Sequence, residues 1–587
     1  MKLLKGTGKL TNHTVILNWN TRAAEILSEL IYTGRREEVA IVVPNAKGNI
    51  EQEIQYAIEE TIERENERVE READKLLRDG IITARGSYIS KNSLTDNLSV
   101  AVCVGETFSL RVLNEVCVSH ARTVIILGKD AAHDDNRHER QEVPRSNVNT
   151  IKTLMQVAEL TSNISSADNQ RVVVEAEDSR TYSLIRKIIR HKERRGKCNI
   201  IAMPVNKMLG QILSQLALMP ELNLVYSDLF SNKGASFYTF KVPESSGMVE
   251  GEHFDSFFGT HPGAVPLSVM QYDFGRELVY IANDEVTPDD VEMPAEPVSK
   301  LSIDNNYDMG KKYVAMFGHN SKCPEIMANF ASFLDEWDPG RKGLLELVVI
   351  DNPRHLEQER NYEDYWFVSE VVPAEIFEQD KIQNKLSAFV DAHEGSTSVL
   401  ILSDDLASND NMDANVLTSL IYVRDLMNSK LDENPNYPVE KINIIAEILD
   451  PRNEEILENY SVHNSIIISN RYISKMITQI GGKRAIYEFY KDILRYDGLD
   501  DATDGVFTSR EIYIKPVSKF FEKGQYPGLC AARDLIKSIY DASPNDNKCI
   551  LIGYVRLDGS LILFTGEEAN RTVQLTEGDR LVVFARH

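Results

Sequence analysis

The stretch HTVILNWN, His13 to Asn20, followed by AAEILSELI and then EVAIVVPN ending at Asn45, decides the fold of this chain. A continuous run of β-branched and aliphatic residues, an amphipathic helical segment and a second apolar run form a β-α-β start. Apolar residues at consecutive positions, rather than alternate ones, predict strands covered on both faces, as in a parallel sheet. The pattern continues through LSVAVCVG (Leu98 to Gly105), a helix in FSLRVLNEV, ARTVIILG (Ala121 to Gly128), a helix in NTIKTLMQVAEL, RVVVEAED and NIIAMPVN.

From Tyr313 the same order begins again. YVAMFGHN, a helix in EIMANFASFL, LLELVVID ending at Asp351, DYWFVSEVV, a helix near KIQNKLSAFV, STSVLILSDD, a helix in ANVLTSLIYVRDL, INIIAEILD and SIIISNRYISKMI follow one another. Two pairings mark an internal duplication: VVVEAED (Val172 to Asp178) with IIAEILD (Ile444 to Asp450), and NIIAMPVNKML with SIIISNRYISKMI. Glu175 and Asp178 thereby take the places of Glu447 and Asp450. Each half ends in a less helical, β-rich tail, roughly 234–298 and 509–587, and the Pro-, Asp- and Glu-rich stretch 284–306 reads as a linker. The expected fold is α/β, two tandem Rossmann-like doubly wound parallel sheets, each followed by a small α+β C-terminal lobe. The expected domains are 1–233, 234–306 (lobe and linker), 307–485 and 486–587.

Between the second and third strands lies an insertion, about 49–80, whose Ile50, Ile54, Ile58, Ile62, Val69, Ala73 and Leu76 follow helical spacing until Gly80. About thirty helical residues extend roughly 45 Å. Two arrangements fit: a helix that projects and pairs with a neighbouring subunit, or one that folds back on its own domain as a charge-laced surface helix.

Composition narrows the function. The chain has 587 residues, several times the usual domain size of about 150, and 42% of them are hydrophobic, as in folded protein. Sixty-five Lys and Arg against ninety Asp and Glu give a formal charge of -25. That excess repels phosphate backbones and anionic lipid, so nucleic acid is not expected as a partner. The six cysteines (Cys103, Cys117, Cys198, Cys323, Cys530, Cys549) form no CxxC pair and read as reduced thiols. No apolar run approaches the roughly 18 residues of a membrane span, and MKLLKGTGKL lacks a hydrophobic signal core, so the chain as given is expected to be cytoplasmic.

A dinucleotide site needs glycines at the first strand-helix turn, because the pyrophosphate must approach the backbone and the helix N-terminus. Asn18, Trp19 and Asn20 stand there in the first half, and Gly318 alone, followed by His319 and Asn320, in the second. Neither turn suits an NAD(P)-dependent oxidoreductase. There is also no GxSxG elbow and no P-loop, so no enzyme is expected. Ligands of open parallel sheets bind beyond the carboxyl ends of the strands. That rule selects Asn18, Asn20, Gly318, His319, Asn320 and Asp351 as ligand-binding candidates, with Asp351 able to bond a ribose hydroxyl. It selects Asp404, Asp405, Glu447 and Asp450 as a candidate set of oxygen ligands for Ca²⁺ or for the amines and hydroxyls of a small molecule. The competing reading has Asp404 and Asp405 capping the helix after Ser408, and Glu447 and Asp450 making structural hydrogen bonds repeated in both halves. His133, Asp134, Asp135 and His138 form a further, weaker metal candidate in a loop.

HTVILNWN, CVSHARTVIILGKD, VLILSDD with MDANVLTSLIYVRDL, IIAEILDPRNEEIL and the closing LTEGDRLVVFA resemble, in their order, the RCK (regulator of K⁺ conductance) or TrkA-type domains. The paired cytosolic region of Castor/Pollux-type ion channels is nearest, and the resemblance spans nearly the whole chain. It implies a ligand-sensing gating ring or regulatory subunit of a potassium or other cation channel or transporter. It further implies a homo-oligomer, a tetramer or octameric ring, that responds to Ca²⁺, other cations or a nucleotide and acts on a membrane pore partner. Channels of this family carry membrane helices ahead of the first RCK unit, so the chain is expected to be a separate ring subunit, a ring excised from a longer protein, or a relative outside channels. The alternatives are a non-channel oligomeric scaffold and a nucleotide-binding regulator.

Overall fold

In a computed structural model the chain is described over residues 10–33, 36–44, 50–78, 83–128, 145–161, 170–193, 199–230, 234–242, 250–272, 275–287, 295–304, 309–359, 362–404, 413–449, 453, 465–481, 483–495, 510–522, 524–545 and 547–586. It divides into two compact units, 1–205 with 473–484, and 206–472 with 485–587.

The first unit is built on a sheet of six strands, β1 (Thr14–Leu17), β2 (Glu37–Val43), β3 (Leu98–Val104), β4 (Thr123–Ile126), β5 (Arg171–Ala176) and β6 (Ile200–Pro204), in the order β3-β2-β1-β4-β5-β6 with every pair parallel. All four residues of β1 and four of β4 are buried, as the unbroken apolar runs predict. Val15, Leu17, Val42, Val124 and Val174 share one core with the helices 110–115, 145–161 and 179–193. Each such aliphatic side chain stabilises the fold by about 1.5–3 kcal/mol relative to leaving it in water. Residues 473–484 complete this unit: Ser474 Oγ donates to Arg22 O (3.3 Å) and Thr123 Oγ1 donates to Gly481 O (3.0 Å).

The insertion is one helix, Ile50–Arg78, and it folds back on its own unit. Ile54, Ile58, Thr61, Val69 and Ala73 are buried, and Thr61 Oγ1 lies 2.8 Å from Ser28 Oγ on the helix Thr21–Ile31. Of the two arrangements open to the sequence, the charge-laced surface helix is the one adopted. The apolar stripe covers the first helix of the sheet and leaves Glu and Arg side chains outward, where Arg68 pairs with Glu65 and Glu72.

The second unit repeats the sheet with β10 (Lys312–Phe317), β11 (Leu345–Asp351), β12 (Val368–Pro373), β13 (Thr397–Ile401), β14 (Ile442–Ile448) and β15 (Ser465–Ser469), in the order β12-β11-β10-β13-β14-β15. β12 starts four residues later than DYWFVSEVV suggests, because Tyr362–Asp364 form a 3-10 turn that buries Tyr362. The helix Val205–Leu218 lies in this unit from Asn206 onward and packs on the helix Cys323–Trp337, where Asn329 Nδ2 donates to Ser214 Oγ (2.6 Å). The expected α/β class and duplicated Rossmann-like order are thus present.

Two lobes belong to the same unit. One is the antiparallel sheet β7-β9-β8 (Ser236–Val242, Gly275–Ala282 and Val265–Tyr272) with the helix Glu250–Thr260. The other is β16-β21-β18-β19 (Glu511–Pro516, Arg580–Ala585, Ile550–Val555 and Leu561–Leu563), the short pair β17 and β20 (Cys530–Ala531 and Thr572–Val573), and the helix Ala532–Ala542. They pack through Phe254 stacked on Tyr540, ring centroids 3.7 Å apart, and through Arg533, whose guanidinium lies 4.2 Å over the Phe258 ring. The stretch read as a linker is no slack tether where it is described. Glu296 N donates to Asp534 Oδ1 and Val298 N to Ser538 Oγ, both at 2.8 Å, and Ser302 N donates to Phe520 O, strapping the second lobe.

Candidate functional site

The candidate clefts open at the carboxyl ends of β1 and β10, and in each the chain fills the turn with its own side chains. In the first half Asn18 adopts φ +90°, a conformation otherwise natural to glycine, and its Nδ2 donates to Gly128 O (2.8 Å). Asn20 caps the helix Thr21–Ile31, accepting from Arg22 N at 3.1 Å while its Nδ2 donates to Gly128 O at 3.0 Å. Arg22, two residues on, turns its guanidinium inward: Nε lies 2.6 Å from Glu175 Oε1 and Nη2 donates to Glu175 Oε2 at 3.2 Å. Gly128 N donates to the same carboxylate at 2.7 Å.

The second half repeats this with different chemistry at two places. Asn320 Oδ1 accepts from Lys322 N (3.0 Å), and its Nδ2 donates to Ser403 O (3.0 Å) and Glu447 Oε2 (2.6 Å). Lys322 Nζ stands 2.9 Å from Glu447 Oε1, and Ser403 Oγ donates to Glu447 Oε2 at 3.2 Å. Lys322, Asn320 and Glu447 are all buried, as are Arg22, Asn20 and Glu175. The strand registers equate Asn20 with Asn320, Arg22 with Lys322, Gly128 with Ser403 and Glu175 with Glu447. A buried Asn, cation and carboxylate therefore occupy the same corner of both sheets.

Gly318 has φ +79°, and a Cβ there would meet Leu402 O at 3.1 Å, so backbone conformation and close packing account for this glycine. His319 is buried with Nδ1 2.6 Å from Tyr362 OH. Asp351 ends β11 beside Gly318, whose N–H donates to Ile350 O. Its Oδ1 accepts from Asn352 N (2.7 Å) and lies 2.9 Å from His355 Nδ1. Its Oδ2 is buried and has no hydrogen-bond partner among the described residues. In the first half the equivalent position is Val43, since Asn18 N donates to Val42 O as Gly318 N does to Ile350 O.

The four carboxylates considered for a metal fare differently. Glu447 is engaged by Lys322, and Asp404 is half-buried after Ser403, whereas Asp405 and Asp450 lie outside the described residues, as do His133, Asp134, Asp135 and His138. The helix of ANVLTSLIYVRDL is described from Ala414, with Asp413 at its N-cap, and residues 405–412, between Asp404 and that helix, lie outside the described residues. Asp178 caps the helix Ser179–Glu193 through Thr181, a structural role. Among the described residues no group of three or more His, Cys, Asp and Glu is placed to hold a metal, and no helix is long and apolar enough to cross a membrane.

Asn20, Asn320, Glu175 and Glu447 were named from the sequence; Arg22 and Lys322, which close the same corners, and His355 and Tyr362, which meet Asp351 and His319, were not. The signal for Arg22 and Lys322 was present as Asn-x-Arg and Asn-x-Lys at the same place after the first strand of each half.

No family model matches the chain. Among curated proteins it is similar to the ion channel CASTOR of Lotus japonicus, 20% identical across 89% of this chain and 57% of that protein. It is similar also to the probable ion channels POLLUX of Oryza sativa subsp. japonica, 22% identical across 83% of this chain and 48% of that protein, and of Arabidopsis thaliana, 21% identical across 84% and 57%. The chain therefore spans about half the length of the curated relatives it matches, and these relatives are the Castor/Pollux channels that its strand sequences resemble. Among solved structures it is similar to a GsuK channel bound to NAD, with TM-score 0.36 and 12% identity over 100% of this chain and 79% of that one.

Proposed function

We propose that, as a relative of the Castor and Pollux ion channels, this chain is the ligand-sensing regulatory part of a potassium or other cation channel or transporter. It works as an oligomeric ring on a membrane pore partner. The observation that carries the reading is the likeness to these channels running through 83–89% of a chain whose frame is a duplicated Rossmann-like sheet. The mechanism needs no bond made or broken: a ligand that prefers one conformation of the ring shifts the population by its differential affinity.

Two features support this over catalysis on a dinucleotide. Both first turns are closed by a buried Asn, cation and carboxylate. The helices after β4 and β13 leave apolar side chains exposed, Val148 and Met155 in one and Ile421 in the other, where a subunit contact would cover them. In this reading the second cleft, with Asp351, His319 and Gly318, senses a small molecule, and Asp404 and Asp405 are the oxygen ligands for Ca²⁺. Mass in solution by light scattering, with and without Ca²⁺, tests the reading, with the Asp404→Ala/Asp405→Ala double variant as control. A tetramer or octamer that changes with Ca²⁺ only in the wild type supports it; a Ca²⁺-indifferent monomer overturns it.

A further inference from the structure

We infer that the second cleft takes a phosphate-free ligand of the nucleoside class, held through its sugar hydroxyls by Asp351, and discriminates against nucleoside phosphates. The inference rests on the ligand-sensing reading above and names the ligand class of that same cleft.

An anion at a helix N-terminus is held by backbone N–H groups of the first turn. Here those of the helix Cys323–Trp337 are engaged: Cys323 N donates to Asn320 O, Glu325 N and Ile326 N to Lys322 O, and Pro324 has no N–H. Lys322 N, just before the helix, donates to Asn320 Oδ1. The ammonium of Lys322 already meets Glu447 at 2.9 Å, and Asp351 adds a second carboxylate, so among the described residues the charge there disfavours a phosphate. Gly318 owes its identity to φ +79° and to Leu402 O, not to an approaching pyrophosphate.

What the cleft offers is an acceptor without a donor. Asp351 is 2% exposed and its Oδ2 has no partner among the described residues, although Oδ1 is doubly engaged. A buried carboxylate oxygen in that state is matched by a hydroxyl donor at the end of the second strand, where a ribose lies in folds of this class. Flat side chains surround the position: His355 touches Asp351, and the His319 ring centroid is 6.0 Å from that of His355. Phe377, 84% exposed, stands three residues beyond Ala374, whose N–H donates to Asp351 O, and offers a face on which a base stacks. The first cleft has Val43 in place of Asp351 and is outside this assignment.

Isothermal titration calorimetry of the full chain with adenosine, 2′,3′-dideoxyadenosine and ADP, without Ca²⁺, tests the inference. Adenosine is expected to bind, and both dideoxyadenosine and ADP to bind at least about tenfold more weakly. Asp351→Asn is expected to lose adenosine affinity by a similar factor, and the dideoxy comparison on the wild type keeps the test valid if that variant does not fold. ADP binding as tightly as adenosine overturns the inference, as does dideoxyadenosine binding equally well. If no nucleoside binds while the mass still responds to Ca²⁺, this inference fails and the ring reading stands. Adenosine binding by a Ca²⁺-indifferent monomer supports the cleft assignment and counts against the ring.

Discussion

Lys322 Nζ stands 2.9 Å from Glu447 Oε1, in the corner where Arg22 Nε stands 2.6 Å from Glu175 Oε1 in the other half of the chain. A cation at the N-terminal end of a helix is opposed by the helix dipole, so a buried carboxylate opposite it is what makes the position tenable. Glu447 in turn is left uncompensated if the lysine goes. Lys322→Met is therefore expected to destabilise the second unit by about 3–5 kcal/mol, and Glu447→Gln by a similar amount, because each strands one buried charge. The double variant Lys322→Met/Glu447→Gln is expected to cost clearly less than the sum of the two. Thermal melts of the three variants measure this, and strictly additive losses would show that the two residues do not act as a pair.

Gly318 and Asn18 answer the same backbone demand in different ways. Both have positive φ, +79° and +90°, but Asn18 also donates to Gly128 O. Alanine at 318 meets both the left-handed strain and the approach to Leu402 O at 3.1 Å. Gly318→Ala is expected to lower stability by about 1–2 kcal/mol, and Gly318→Asn by less, since asparagine tolerates that region. A melting temperature for the asparagine variant at or below that of the alanine variant would show that the contact with Leu402, not φ, sets the cost.

The contrast between these two corners shows what the sequence displays and what it hides. The strand order was legible because most strands of the two parallel sheets carry a run of consecutive apolar residues, the edge strand β12 (VSEVVP) being the clear exception. The pairing of Glu175 with Glu447 was legible because the flanking strands repeat. Arg22 and Lys322 were not. A basic residue at the N-terminal end of a helix reads as solvent-exposed, and its partner is 153 or 125 residues away, fixed only once the strands lie side by side. The route of the insertion was undecidable for a related reason. A stripe such as Ile54, Ile58, Val69 and Ala73 has the same spacing whether it covers a helix of its own unit or a neighbour's. The bond between Thr61 and Ser28, which resolves it, joins two residues that carry no signal of burial.

That resolution bears on assembly. The apolar stripe of the helix Ile50–Arg78 is covered by its own unit, with Ile54 and Ala73 fully buried, so it has no such stripe left for a partner subunit. Ile54→Ala is expected to destabilise the first unit by about 2–5 kcal/mol. Removing residues 50–80 is expected to leave the number of subunits per particle unchanged. Light scattering on the deletion checks this; a shift to monomer would restore the scaffold reading, in which this helix joins subunits.

His13, at the edge of β1, is completely buried with Nε2 2.9 Å from Val116 O. Burial pushes its pKa below the ordinary 6.5, outweighing the upward pull of the Val116 carbonyl, and burial likewise depresses His261 in the first lobe. The unfolded chain then binds protons below about pH 6.5 that the folded chain does not, so stability is complete above that value and falls as pH drops from 6.5 toward the depressed folded pKa. The melting temperature is expected to be flat from pH 8 to 7 and to decline toward pH 5.5. His13→Gln, which keeps a donor for the Val116 carbonyl but cannot titrate, is expected to shallow that decline. Scanning calorimetry at half-unit pH steps measures both slopes. Equal slopes in the wild type and a His13→Gln/His261→Gln double variant would assign the acid sensitivity to the carboxylates instead.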